Sequence, residues 1–136
     1  MTTQYWLVKS EPETYSWADF VREGKTDWTG VRNYAARIHL NAMRPGDRVL
    51  YYHSGDEKAV VGTAEVTKPA FPDKTADEPG WVAVELKAGA ALAKPVTLAA
   101  IKAEPALAKM TLLRISRLSV QPVERAEFER VVRMGK

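Results

Sequence analysis

The stretch DWTGVRNYAARIHLNAMRPGDRVLYYHS, residues 27–54, sets two turns around a helix and then opens a strand. Gly30 and the Pro45-Gly46 pair supply the turn chemistry. Between them Tyr34, Ile38 and Ala42 recur at every fourth position, with Leu40 and Met43 flanking them. That spacing predicts a helix over about residues 32–43 with one buried face. RVLYYH at 48–53 then reads as a strand, as do VVGTAEVTK at 60–68 and WVAVELKA at 81–88, and the turn-rich SGDEK and PAFPDKTADEPG separate them. Helices that do not alternate regularly with strands argue against a parallel α/β sheet.

Working outward, YWLVK at 5–9 is an aromatic and β-branched run halted at Glu11-Pro12, which predicts a first strand. Ser16 ahead of Ala18, Phe20 and Val21, with Gly24 after them, predicts a short capped helix. In PVTLAAIKAEPAL, 95–107, Thr97 offers a cap and Pro105 a stop, so the segment supports a short helix at most. MTLLRISRLSVQPV, 110–123, has strand character interrupted by Arg117 and Ser119. VERAEFERVVRMGK, 123–136, spaces Phe128, Val131, Val132 and Met134 as an amphipathic C-terminal helix. The expected fold is α+β: a mixed β-barrel of about five to six strands with short peripheral helices.

At 136 residues the chain is expected to form a single domain over 1–136, and its 46% hydrophobic and 27% charged residues are those of an ordinary globular protein. Without cysteine there is no disulfide framework, thiolate zinc site or cysteine nucleophile. With only two histidines and no phosphate-cradling, zinc-protease or serine-hydrolase motif, no metal or other cofactor is expected. The N-terminus lacks a basic stretch followed by a long apolar run, so the expected location is cytoplasmic, with no membrane partner. A net charge of +3 permits attraction to phosphate but does not establish it.

Four polar clusters carry the candidate chemistry. Trp28-Thr29-Gly30-Val31-Arg32-Asn33 combines a flat ring, a tight turn and two forked hydrogen-bonding groups at a helix start, the partners a nucleobase requires. Taken singly, a tryptophan such as Trp28 is more often a core residue than a ligand platform, and an asparagine such as Asn33 is commonly a helix-start residue. Lys9-Ser10-Glu11-Pro12 closes the first strand, where Glu11 suits either an exocyclic amine or an ion pair with Lys9 or Arg32. Tyr51-Tyr52-His53-Ser54 ends a strand that either opens into a loop-lined mouth or simply stops, while His39, inside the helix, reads as a packing or surface residue. Arg117-Leu118-Ser119-Val120-Gln121-Pro122 alternates, with its polar side facing a ligand or solvent.

These fragments together resemble the EVE domain family. The resemblance rests on YWLVKSEP at 5–12, Tyr15-Ser16, WTGVRNYAAR at 28–37, MRPGDRVLYYHS at 43–54, VVGTAEV at 60–66, Phe71-Pro72-Asp73, PVTL at 95–98 and SRLSVQPV at 116–123, in family order. It implies a PUA-like fold, related in shape to YTH and ASCH domains, and a non-enzymatic module that binds a modified base in DNA or RNA, flipped or single-stranded. By matching motif, the base pocket is expected to draw on Ser10, Glu11, Trp28, Val31, Arg32, Asn33, Tyr52, His53, Ser54, Ser119 and Gln121. Lys9, Arg37, Lys109, Arg114 and Arg117 are expected to meet phosphate. Two other functions compete: an enzyme acting on a nucleoside or nucleic acid with Glu11 and His53 as acid and base, and a small-molecule sensor.

Overall fold

The structure, a computed structural model, describes residues 3–136, so the first two residues of the expected domain lie outside it. In chain order it contains β1 (Tyr5–Ser10), α1 (Trp17–Glu23), β2 (Lys25–Asp27), α2 (Tyr34–Ala42), β3 (Arg48–His53), β4 (Ala59–Pro72) and β5 (Val82–Thr97). There follow α3 (Leu98–Ala103), a 3-10 turn (Pro105–Leu107), α4 (Thr111–Arg114), β6 (Val120–Val123) and α5 (Arg125–Met134). One mixed sheet runs in the order β2-β5-β4-β3-β1-β6, with β1 parallel to β3 and every other pair antiparallel. Four register shifts along the β4/β5 ladder and one between β3 and β4 bend the long strands. No ladder joins β2 to β6 among the described residues, so the six strands form a loose barrel that does not close.

Alternation along the central strands builds a core on each face of the sheet. Trp6, Val8, Val49 and Tyr51 point to the first, which is filled by Phe20 of α1 and Ala36 and Leu40 of α2. Leu7, Leu50 and Tyr52 point to the second, under Ile101, Leu107, Leu112, Phe128 and Val131. Each fully buried aliphatic side chain contributes about 1.5–3 kcal/mol, so a sheet loaded on both faces needs no barrel closure to be stable. Buried Asp47, in the turn before β3, accepts hydrogen bonds from Gln4 N (3.0 Å), Trp6 Nε1 (2.9 Å) and Arg44 N (3.0 Å) and thereby ties that turn to β1.

Two expectations are corrected and one strand is added. On α2 the buried face is Ala36 and Leu40, continued by Met43, whereas Tyr34 and Ile38 are 68% and 67% exposed. The stripe lies two residues, about 200°, round the helix from the true core face. In 110–123 only Val120–Val123 is a strand. Thr111–Arg114 is a helical turn that buries Thr111 and Leu112, because an apolar run this short fits either period. Finally, β2 pairs with β5 from KTD, a sequence of low strand propensity that tertiary pairing overrides.

Candidate functional site

At the C-terminal end of β1 the chain leaves a cavity of about 600 Å³, within the range of small-molecule sites. Its walls come from β1 and the loop after it (Lys9, Ser10, Glu11, Thr14, Tyr15), from β2 (Thr26, Asp27), from the loop Trp28, Thr29, Gly30, Val31, Arg32, and from Ser119 ahead of β6. The Ser10 hydroxyl and the Tyr51 hydroxyl both donate to the Tyr15 carbonyl, at 2.8 Å and 2.7 Å, and so pin the first loop over the first core. Burial, followed by its hydrogen bond to Glu23, pushes the Tyr15 hydroxyl up to about 12, so it remains a protonated donor. Burial raises Tyr51 as well.

The second loop is held by a buried carboxylate. Asp73 Oδ2 accepts from Gly30 N (2.8 Å) and Arg32 Nη1 (2.9 Å), while Oδ1 accepts from Thr75 N (2.8 Å) and Thr75 Oγ1 (2.6 Å). Burial alone would raise this carboxyl. The hydrogen bonds from Thr75, Gly30 and Arg32 outweigh it and hold Asp73 well below the usual carboxylate range. Gly30 has φ +84°, a left-handed conformation that glycine adopts without strain, and it aims its N–H at Asp73. Arg32 also bonds Val31 O and Thr75 Oγ1, which employs three of its five N–H donors and leaves two for a ligand.

Trp28 is 8% exposed and stands at the boundary of core and cavity: its ring meets Tyr51 edge-on at 5.6 Å and Tyr15 at 6.2 Å, yet the residue lines the space. Lys9 donates from Nζ to Ser116 O, and burial lowers its pKa from the ordinary lysine value.

Of the residues singled out from sequence, the structure brings Lys9, Ser10, Glu11, Trp28, Val31, Arg32 and Ser119 to this one cavity. Others lie elsewhere. Asn33 caps α2, its Oδ1 accepting from Ala36 N at 2.9 Å. Tyr52 and Gln121 share the face of the second core, Gln121 opposite Leu7, with its Nε2 donating to Leu118 O. His53 sits beneath the start of α1, its Nε2 accepting from Trp17 N at 3.0 Å while Nδ1 faces Glu57 at 2.7 Å. Ser54, next in the chain, donates its backbone N–H to Ser10 O and stays outside the lining. Glu11 therefore lines the cavity and His53 does not. Lys109, Arg114 and Arg117 are exposed on the segment leading to Ser119, and Arg37 stacks on Trp81, but none lines the cavity.

Thr14, Tyr15, Thr26, Asp27, Thr29 and Gly30 also line the cavity and Asp73 anchors it, none of them among the pocket residues expected from sequence. For Asp73 the signal was Phe71-Pro72-Asp73-Lys74-Thr75, an acidic residue two ahead of a threonine, the pattern of an Asx turn. Among the described residues no group of His, Cys, Asp and Glu is arranged to hold a metal ion, and no helix is long and apolar enough to cross a membrane.

Comparison with known proteins matches this chain to one family along its length. The family model of the EVE domain covers residues 4–134. Human thymocyte nuclear protein 1 is 32% identical, over 96% of this chain and 73% of that protein. Among solved structures, Rpa0253 from Rhodopseudomonas palustris superposes with a TM-score of 0.92 at 52% identity, covering 98% of this chain and 93% of that one. The human THYN1 protein in complex with 5-methylcytosine containing DNA gives 0.91 at 29% identity, covering 98% of each chain. An ASCH protein from Zymomonas mobilis, at 12% identity and a TM-score of 0.60, shares the fold alone.

Proposed function

The chain belongs to the EVE domain family, and from that premise we propose that it is a one-domain reader that takes a single modified nucleobase of DNA or RNA into the cavity between β1 and the Trp28–Arg32 loop. The observation that carries this reading is the convergence there of an indole, a guanidinium with unused donors, the carboxylates of Glu11 and Asp27 and several hydroxyl-bearing side chains around about 600 Å³. The complex of the related human protein with 5-methylcytosine containing DNA supports the choice of ligand class. Trp28 is assigned the base face, Arg32 the base edge or the adjoining phosphate, and Glu11 the exocyclic amine that a cytosine or adenine presents.

Binding, not turnover, is the activity proposed: Glu11 lines the cavity, but both ring nitrogens of His53 are engaged elsewhere. Extruding a base costs a few kcal/mol in a duplex and least in a single strand, whereas stacking returns about 1–3 kcal/mol. Single-stranded or already unpaired sites are therefore the expected targets. Calorimetry at low salt with matched oligonucleotides, carrying cytosine or 5-methylcytosine, as DNA and RNA, single-stranded and duplex, tests the reading. A preference for modified over unmodified single strands is expected, and equal affinity across the panel would overturn it.

A further inference from the structure

The α2 stripe that the fold leaves bare is not isolated. Tyr34 and Ile38 are 68% and 67% exposed, one turn apart, so α2 presents an apolar stripe to solvent. Next to them, the Tyr34 and Trp81 ring centroids are 5.1 Å apart, and the Arg37 guanidinium lies 4.9 Å from the first and 4.8 Å from the second. Arg37 Nη1 donates to Gly80 O at 3.0 Å, which holds the guanidinium against the loop and leaves its other donors free. The patch touches the cavity through one residue: Arg32 lines the cavity and also stands 5.8 Å from the Trp81 ring.

We propose that this patch seats the nucleotide adjoining the one in the pocket, its base stacking on Tyr34 and Trp81 and its phosphate held by Arg32 and Arg37. The inference rests on the pocket reading above and extends it to a second nucleotide. Flat exposed rings beside arginine are the elements that bind bases without sequence preference, and arginine pairs readily with phosphate. Neither guanidinium of the patch is paired with Asp77 or Glu78 of the neighbouring loop among the described residues, and Arg37 forms no ion pair at all there. Continuity through Arg32 selects the same nucleic-acid strand as occupant: a chain leaving the cavity on that side passes over Trp81.

The test uses two probes, 5-methyldeoxycytidine monophosphate and a five-nucleotide single-stranded DNA with 5-methylcytosine at its centre and 2-aminopurine at either neighbouring position. Tyr34→Ala, at a well-exposed site, is expected to weaken the pentamer roughly fivefold or more and leave the mononucleotide within about twofold. Tyr34→Phe is expected to retain binding, and 2-aminopurine on one side is expected to be quenched by the parent but not by Tyr34→Ala. If the parent binds both probes while Tyr34→Ala and Trp81→Ala hold the pentamer as tightly as it does, the patch is not the seat and the pocket reading stands. An equal loss on both probes overturns the proposal too, since the patch would then act through Arg32 on the pocket. A parent that binds neither probe removes both readings.

Discussion

Replacing Asp73 isolates the contact on which the site's geometry depends. Asp73→Ala deletes acceptors for Gly30 N, Arg32 Nη1, Thr75 N and Thr75 Oγ1, all within 2.6–2.9 Å. Hydrogen bonds to a charged group contribute about 1.5–3 kcal/mol each, and breaking a buried ion pair costs about 3–5 kcal/mol. The Arg32 side chain is 37% exposed, so it re-solvates once released and the larger figure must be discounted. A net loss of about 2–3 kcal/mol at pH 7 follows, a large part of the stability of a small domain. Asp73→Asn keeps the shape, loses the charge and should fall by about 1–2 kcal/mol. Because the folded-state pKa of Asp73 lies below the unfolded value of about 3.9, its contribution is fully present above that pH and is lost as pH falls toward the folded value. The gap between parent and Asp73→Asn, measured by urea unfolding at pH 7, 5 and 3, should be constant over the first two and shrink at the third. A gap below about 0.5 kcal/mol at pH 7, or one that widens in acid, refutes this role for the Asp73 carboxylate.

Three further changes probe the rest of the account. Trp28→Ala should lose about 3 kcal/mol of unfolding free energy, because its ring packs on Tyr51, together with roughly tenfold or more in affinity for the preferred oligonucleotide; retention of that affinity would move the base elsewhere. In Gly62→Ala the new Cβ would lie 2.5 Å from the Trp17 ring, a clash expected to lower Tm by roughly 4–12 °C, and an unchanged Tm would show that the ring is free to shift. Asp47→Ala strands three N–H donors, including the buried Trp6 indole, and should cost about 2–4 kcal/mol by urea unfolding; a loss under about 0.5 kcal/mol would mean that water replaces the carboxylate.

The strands Tyr5–Ser10 and Arg48–His53 could be read directly because β-branched and aromatic runs there end at strong punctuation, Pro12 in one case and Ser54-Gly55 in the other. Further along, the ladder overrode the punctuation. β4 continues through Pro69 to Pro72, and β5 through Gly89, where an added Cβ would stand 2.7 Å from Thr63 O, so the close strand approach explains the glycine only once the pairing is known. Local chemistry does lead to the cavity lining at Ser10, Glu11, Trp28 and Arg32, which lie on segments leaving the sheet at one end. It does not for His53 and Gln121. His53 shares the Tyr51 face of β3, where the ring contact is 5.8 Å, but the N-terminus of α1 covers it, and Gln121 turns to the opposite core because it stands across from Leu7. Which lid covers a strand end is a matter of long-range packing. Asp73 escaped for the same reason: its partners Gly30 and Arg32 are 43 and 41 residues away along the chain.

The indole resonances provide the most direct measurement of the pocket itself. Trp6 Nε1 is buried and bonded to Asp47 Oδ2 at 2.9 Å, away from the cavity, while Trp28 lines it, so one nitrogen-15 spectrum holds both a reference and a reporter. Titration of the labelled protein with a short single strand containing 5-methylcytosine should move the Trp28 indole cross-peak in a saturable way, leave that of Trp6 in place, and produce a smaller effect with the unmethylated strand. A Trp28 cross-peak that stays fixed while the strand binds elsewhere on the protein would contradict the assignment of this cavity as the base pocket.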